Sequence, residues 1–239
     1  MSVELKSPLI VALDVDSKSE VIHLAKIFAA KVGAFKIGPS LVTRYGSDFV
    51  SSLAQTVPMF IDNKYLDIPN TMEASVRASF NAGASFVTVH TWAGREALER
   101  MAKLEEELTQ QRPFTILGVT ILTSFSEKTL PPGLEKKPLK EHIIGLARLA
   151  TECGIKGLVC SPQDLVFMRK EFPDSFLVTP GVRMKDEDNA DQKRVSTPEE
   201  AIKKGASAIV VGRPIVQAKD PLAALDKYIK AITLATPNA

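Results

Sequence analysis

Residues 9–37 read LIVALDVDSKSEVIHLAKIFAAKVGAFKI, and the fold is decided there. The stretch opens on an unbroken apolar run, Leu9–Leu13, and closes on a second, Ala34–Ile37. Between them Ser17 and Glu20 have the spacing of a capping box, and Val21, Leu24, Phe28 and Val32 fall on one helical face. Apolar runs without alternation suit strands buried on both faces, and a helix between two of them makes a parallel βαβ unit.

The pattern repeats along the chain. Further runs lie at Met59–Ile61, Phe86–Val89, Phe114–Leu122, Gly157–Cys160, Phe176–Val178 and Ala208–Val211. With the first two they are spaced by about 30 residues, the length of one βα unit. Helix signals fill the gaps. Pro69 suits a first turn, Met72, Val76 and Phe80 recur every four residues, and Gly83 closes that segment. Thr197-Pro198-Glu199-Glu200 is another N-terminal cap. In the last segment Leu222, Leu225, Ile229 and Ile232 form the buried stripe, and Lys227 and Lys230 face water. Eight units in 239 residues predict an α/β protein, a closed (β/α)8 TIM barrel forming a single domain over residues 1–239. The alternative is an open doubly wound sheet, but no GxGxxG fingerprint follows the first strand.

Composition narrows the function. With 45% hydrophobic and 24% charged residues, 13 Gly and 15 Pro, the chain is neither collagenous, disordered nor a disulfide scaffold. Thirty basic side chains against 28 acidic leave +2 at pH 7, no global field for nucleic acid or an anionic membrane. No 18 apolar residues follow one another and no hydrophobic leader precedes Leu9, so the cytoplasm is the expected compartment. Cys153 and Cys160 lie outside any CxxC or Cys/His pattern and read as buried reduced thiols. Two long segments, Ser124 to Lys140 and Gly181 to Ser196, lack helical periodicity; they read as lids or binding loops, or as tolerated surface insertions.

In such a barrel chemistry sits where strands end and βα loops begin. Those positions hold Asp14, Lys36, Asp62 with Lys64, His90, Thr123 with Ser124, Ser161, Thr179 with Arg183, and Gly212 with Arg213. The densest group is the run from Asp62 to Thr71, DNKYLDIPNT. Strand alternation puts Asp62 and Lys64 on one side, facing the mouth, and Asn63 on the other. With Lys36 and Asp67 they sum to zero charge, and a carboxylate beside an ammonium favours the charged form of each. Such an array can deliver a proton from a lysine, and it can equally be a structural salt-bridge network. Near the end of the chain Gly212-Arg213-Pro214 stands where barrels of this kind bind phosphate, with Gln192 and Arg194 able to close over it.

The run Asp62-x-Lys64-x-x-Asp67-Ile68-Pro69-Asn70-Thr71 resembles the signature of the orotidine 5′-monophosphate decarboxylase family. The resemblance extends over nearly the whole chain, through Ala12-Leu13-Asp14, Lys36-Ile37-Gly38, Leu122-Thr123-Ser124, Thr179-Pro180-Gly181-Val182-Arg183, Asp191-Gln192-Lys193-Arg194 and Val211-Gly212-Arg213-Pro214. It implies metal-independent decarboxylation of orotidine 5′-monophosphate to UMP, with no cofactor. Lys64 would be the proton donor within a Lys36, Asp62, Lys64, Asp67 tetrad. Asp14 would contact the ribose hydroxyls, Ser124 the pyrimidine edge, and Gln192, Gly212 and Arg213 the 5′-phosphate, with Arg183 in the same mobile loop and Thr123 a further substrate contact. It also implies a homodimer in which Asp67 and Thr71 reach into the partner's site. Asn63 and Leu66 depart from the common pattern, as does the segment 184–190, which lacks the Gly and Pro residues often found there. Two other classes compete: a Mg²⁺-dependent sugar-phosphate enzyme sharing Asp-x-Lys-x-x-Asp, and a non-catalytic nucleotide-binding barrel. The first would carry a Glu where Lys36 stands; the second would not need two lysines interleaved with two aspartates.

Overall fold

Every apolar run becomes a strand. The computed structural model describes residues 3–132, 134, 136–185, 187 and 195–235. Its strands are β1 (Leu9–Ala12), β2 (Ala34–Ile37), β3 (Met59–Tyr65), β4 (Ala84–His90), β5 (Thr115–Val119), β6 (Gly157–Val159), β7 (Phe176–Pro180) and β8 (Ala208–Val211). They pair in parallel in chain order, and β8 returns to β1 through Leu9↔Ile209 and Val11↔Val211, closing the (β/α)8 barrel expected from the sequence. Closure leaves no sheet edge.

Alternation sorts each strand between two cores. Ile10, Ala12, Ala34, Phe60, Phe86, Leu117, Val178, Ala208 and Val210 form one buried cluster, the barrel interior. Leu9, Val11, Phe35, Ile37, Met59, Ile61, Val87, Val89 and Ile209 belong to the second, shared with the helices. Inside, the Phe86 ring meets Phe60 edge-on at 6.1 Å and stacks on Phe176 at 5.9 Å. These rings fill the barrel, so whatever lies one inward position beyond Phe60 and Phe86 stands on an apolar floor.

The helices are α1 (Lys18–Phe28), α2 (Pro39–Ala54), α3 (Pro69–Asn81), α4 (Gly94–Thr109), α5 (Leu139–Glu152), α6 (Leu165–Glu171), α7 (Pro198–Lys203), α8 (Arg213–Val216) and α9 (Pro221–Ala235). Ser17 Oγ accepts from Glu20 N at 3.4 Å, the serine half of the expected capping box, and Thr197 Oγ1 accepts from Glu200 N at 3.3 Å. α3 starts at Pro69, and Gly83, at φ 104°, turns the chain after it.

Three details differ from the sequence reading. Val32 is buried but lies beyond α1, which stops at Phe28 so that Gly33 can pass under the chain: a Cβ there would stand 1.9 Å from Ser7 O. β5 ends at Val119 rather than Leu122 because its neighbour β6 offers no partner beyond Val159. In α9 Leu222 is exposed and Ile229 only half-buried, while Tyr228 is fully buried. The tyrosine fits the core because its hydroxyl donates to Glu187. Of the long segments, the first contains a short 3₁₀ turn, Glu127–Thr129, reciprocally capped by Ser126 and Thr129. The second is tied at its base by a bridge between Val182 and Ser196.

The barrel's amino-terminal end holds a cavity of about 640 Å³ lined by Glu105, Lys156 and Arg169 among others. Glu105 Oε2 accepts the Ile116 N–H at 2.8 Å, yet burial outweighs that bond and pushes the carboxyl up to about 7. A carboxyl raised on folding stabilises fully below its unfolded pKa and loses that contribution as pH rises through the folded value. Urea midpoints should therefore fall from about pH 5 to about pH 8 by the equivalent of up to roughly 3 kcal/mol. Glu105→Gln, which keeps an acceptor for Ile116, should flatten that fall.

Candidate active site

At the opposite end, the carboxyl ends of β1, β2 and β3 bring four charged groups together. Lys36, on the inward face of β2 and only 9% exposed, places Nζ 3.3 Å from Asp14 Oδ2 and 3.5 Å from Asp62 Oδ2. Lys64 Nζ lies 2.8 Å from Asp62 Oδ1. Charge alternates along the row Asp14, Lys36, Asp62, Lys64 and cancels, which reduces the cost of holding it away from water. Burial works to raise the Asp62 pKa, but Lys36, Lys64 and hydrogen bonds from Lys64 and Thr88 outweigh it and hold the carboxyl below the usual range. It stays ionised through the physiological range.

Asp62 follows Phe60 on the inward face, as alternation predicts. Lys64 does not arrive by alternation. Between the pairs Ile61↔Val87 and Tyr65↔Val89, β3 advances four residues while β4 advances two, so β3 bulges. Lys64 sits in that bulge at φ 49°, the one positive-φ residue other than glycine among the described residues. Asn63 points away from the site, as expected: its Nδ2 donates to Tyr65 Oη at 2.8 Å, and Tyr65 Oη in turn meets Ser79 Oγ of α3 at 2.7 Å.

The charged row forms one wall of a cavity of about 410 Å³. Thr123, Arg183, Gly212 and Arg213 line the rest, with Ala12, Phe60, Val159 and Val178 as its apolar lining. Arg183 is 8% exposed, and its Nε is buried without a hydrogen-bond partner among the described residues. Gly212 allows close packing of the last turn against β1, since a Cβ there would stand 3.2 Å from Ala12 Cβ. The arrangement sets lysines of β2 and β3 and arginines that follow β7 and β8 around a cleft wide enough for a small anionic molecule.

Other predicted site residues lie elsewhere. Asp67 is exposed, its Oδ1 accepts from Ile68 N at 2.6 Å, and it forms no ion pair among the described residues. Thr71 and Ser124 are exposed and do not line the cavity. Gln192 and Arg194 fall outside the described residues. Of the remaining strand-end residues, Ser161 is buried and donates to Asp164 at 2.7 Å, and Thr179 is buried. His90 is half-buried with Nδ1 unpartnered, and burial together with the Lys64 charge lowers its pKa, so it stands neutral. The sequence reading missed Thr88. It is fully buried on β4, accepts the Lys64 N–H at 2.9 Å, and donates to Asp62 Oδ1 at 2.9 Å. A hydroxyl at the inward position after Phe86 was the available signal.

The family model described as orotidine 5′-phosphate decarboxylase / HUMPS family matches residues 7–228, which include every residue of this cluster. The chain belongs to that family. Orotidine 5′-phosphate decarboxylases of Pelobacter propionicus and Trichlorobacter lovleyi are 36% and 37% identical to it over 237 and 232 residues, spanning 98% and 96% of this chain and the same shares of theirs. A solved structure of the orotidine 5′-phosphate decarboxylase from Lactobacillus acidophilus shares the fold at a TM-score of 0.82 and 32% identity, covering 95% of this chain and 99% of that one. An uncharacterized conserved protein from Geobacillus kaustophilus matches at a TM-score of 0.79 and 30% identity, over 94% of this chain and all of that one. Family membership thus agrees with the resemblance found in the sequence, and of the residues quoted for it Asp14, Lys36, Asp62, Lys64, Thr123, Arg183, Gly212 and Arg213 line the cavity. Among the described residues no helix is long and apolar enough to cross a membrane.

Proposed function

We propose that this chain decarboxylates orotidine 5′-monophosphate to UMP, the last step of pyrimidine nucleotide synthesis, without metal or cofactor. The observation that carries the reading is the placement of Lys64 Nζ 2.8 Å from an ionised Asp62 at the mouth of a cleft whose far side holds two arginines. Loss of CO₂ breaks the bond from C6 to the carboxylate and leaves the electron pair on C6, where no attached π system can take it up. Catalysis must then be electrostatic, with a cation already in place where the charge develops. Lys64 fills that role and then passes an N–H proton to C6, giving UMP; solvent returns a proton to the amine. Asp62 beside the leaving carboxylate disfavours the bound ground state and favours departure of CO₂.

One charge pair at ~4 Å and an effective dielectric near 20 contributes roughly 4 kcal/mol, too little alone for so slow a reaction. The rest must come from binding energy remote from C6, which holds the reacting groups in register. The unpartnered Arg183 Nε–H supports an anion at that end, where Arg183, Gly212, Arg213 and Gln192 would hold the 5′-phosphate. Asp14 would take the ribose hydroxyls, and Thr123 and Ser124 the pyrimidine edge. The exposed Asp67 and Thr71 support a homodimer in which Asp67 completes the partner's tetrad and Thr71 reaches into the same site. Leu66 and Ile68, 55% and 66% exposed beside Asp67, supply apolar surface for that contact. A cytoplasmic setting belongs to the same proposal and suits two free cysteines.

Lys36 also separates this reading from a Mg²⁺-dependent sugar-phosphate enzyme, because its ammonium stands between the two carboxylates that a divalent ion would need. The test is to follow substrate absorbance with the purified protein in excess EDTA. Full turnover is expected, unchanged on adding Mg²⁺. No turnover, or turnover only with Mg²⁺, would refute the proposal.

A further inference from the structure

The β3 bulge leaves the Lys64 N–H without a place in the β3–β4 ladder, and a buried N–H without a partner is costly. Thr88 lies opposite the bulge, between Val87, which pairs with Ile61, and Val89, which pairs with Tyr65. Its one hydroxyl is fully used: it accepts from Lys64 N and donates to Asp62 Oδ1, each at 2.9 Å. Lys64 Nζ donates to that same oxygen at 2.8 Å. The three bonds close a ring through the backbone and side chain of Lys64, the Thr88 hydroxyl and the Asp62 carboxylate. Packing alone does not call for a hydroxyl here. Thr88 is fully buried in a barrel whose neighbouring inward residues on β4 and β5 are Phe86 and Leu117, and valine has the same shape.

We infer that Thr88 is a positioning residue, which holds Lys64 in its left-handed backbone conformation and fixes the Asp62 carboxylate against the Lys64 amine. A left-handed non-glycine residue is strained and persists only where its surroundings impose it. The Thr88 hydroxyl imposes it, because an ordinary backbone at Lys64 would turn the N–H away from the oxygen that accepts it. Loosening that backbone moves Nζ relative to the reacting carbon while the arginine side of the cleft stays as it is.

The kinetic part of this inference rests on the decarboxylase reading; the titration part does not. Thr88→Val keeps the shape and removes both bonds, and Thr88→Ser keeps both. For Val, kcat should fall about 100-fold, the scale of a 1 Å misplacement, with UMP affinity within about threefold of wild type. Ser should stay within about fivefold in kcat. Carbon-13 NMR of labelled carboxylates should show Asp62 titrating at higher pH in Val and unchanged in Ser, because a donor to the ionised form has gone. Should Val not fold, Thr88→Ala replaces it with the same expectations. The inference is overturned if Val keeps kcat within about threefold and leaves the Asp62 titration unmoved. It is equally overturned if kcat, UMP affinity and melting temperature fall together and Ser does not restore them. A wild-type protein that does not turn over would refute the decarboxylase reading instead, and the Asp62 titration alone would then decide the role of Thr88.

Discussion

Lys64→Ala is expected to lower kcat by roughly 10⁵-fold or more, while UMP binds within about threefold of wild type. The size follows from two losses at one atom. Removing a cation about 4 Å from a developing carbanion forfeits roughly 4 kcal/mol, near 10³-fold in rate. Removing a positioned proton donor costs typically a further 10²–10⁴-fold. The binding expectation follows from the geometry. Lys64 is carried by β3, across the barrel order from Arg183 after β7 and Arg213 after β8, and UMP lacks the carboxylate that Lys64 and Asp62 would face. The measurement is kcat by substrate absorbance beside UMP titration calorimetry. Residual activity within about 100-fold of wild type would remove Lys64 from its assigned role.

The second large effect concerns Asp67. Its exposed carboxylate touches none of the three charged residues with which the sequence groups it, and it caps its own neighbour, Ile68. If it completes the site of a second copy, Asp67→Ala and Lys64→Ala should each be nearly inactive alone. Mixed protomers should regain activity, because one of the two sites in each heterodimer then contains both an intact Lys64 and an intact Asp67. Random pairing of equal amounts predicts up to roughly a quarter of wild-type activity in the mixture, and up to roughly half in the isolated heterodimer. Two differently tagged variants, unfolded and refolded together and purified over both tags, provide the measurement. Heterodimers that remain inactive would refute the shared site.

How much of this was legible beforehand depends on which physical signal each residue carried. The barrel followed from eight unalternating apolar runs, since strands covered on both faces have no polar side to show. Where a strand runs on into polar residues that signal fails, so β3 was read as ending at Ile61 although it reaches Tyr65. The convergence of Asp62 and Lys64 was foreseen, but from alternation; a bulge and a left-handed Lys64 bring it about. A bulge depends on what the neighbouring strand supplies, and no local pattern on β3 states it. For the same reason Thr88 was passed over as one polar residue in an apolar run. Tyr228 was missed as core in α9 because its hydroxyl finds a partner, Glu187, 41 residues away in sequence. Sequence spacing groups Asp67 with Lys36, Asp62 and Lys64, but within this chain it stands exposed and apart from them, because it lies past the end of β3 at the turn into α3. The family motifs identified the cleft residues, and the structure added their distances and the one hydroxyl that joins two of them.

Decarboxylation with protonation at C6 is tested most directly by its product. The purified chain, in excess EDTA and heavy water, should convert orotidine 5′-monophosphate to UMP carrying a single deuteron at C6, seen by proton NMR as loss of the C6 proton signal. Absence of UMP, or UMP formed with an ordinary proton at C6, would contradict the account.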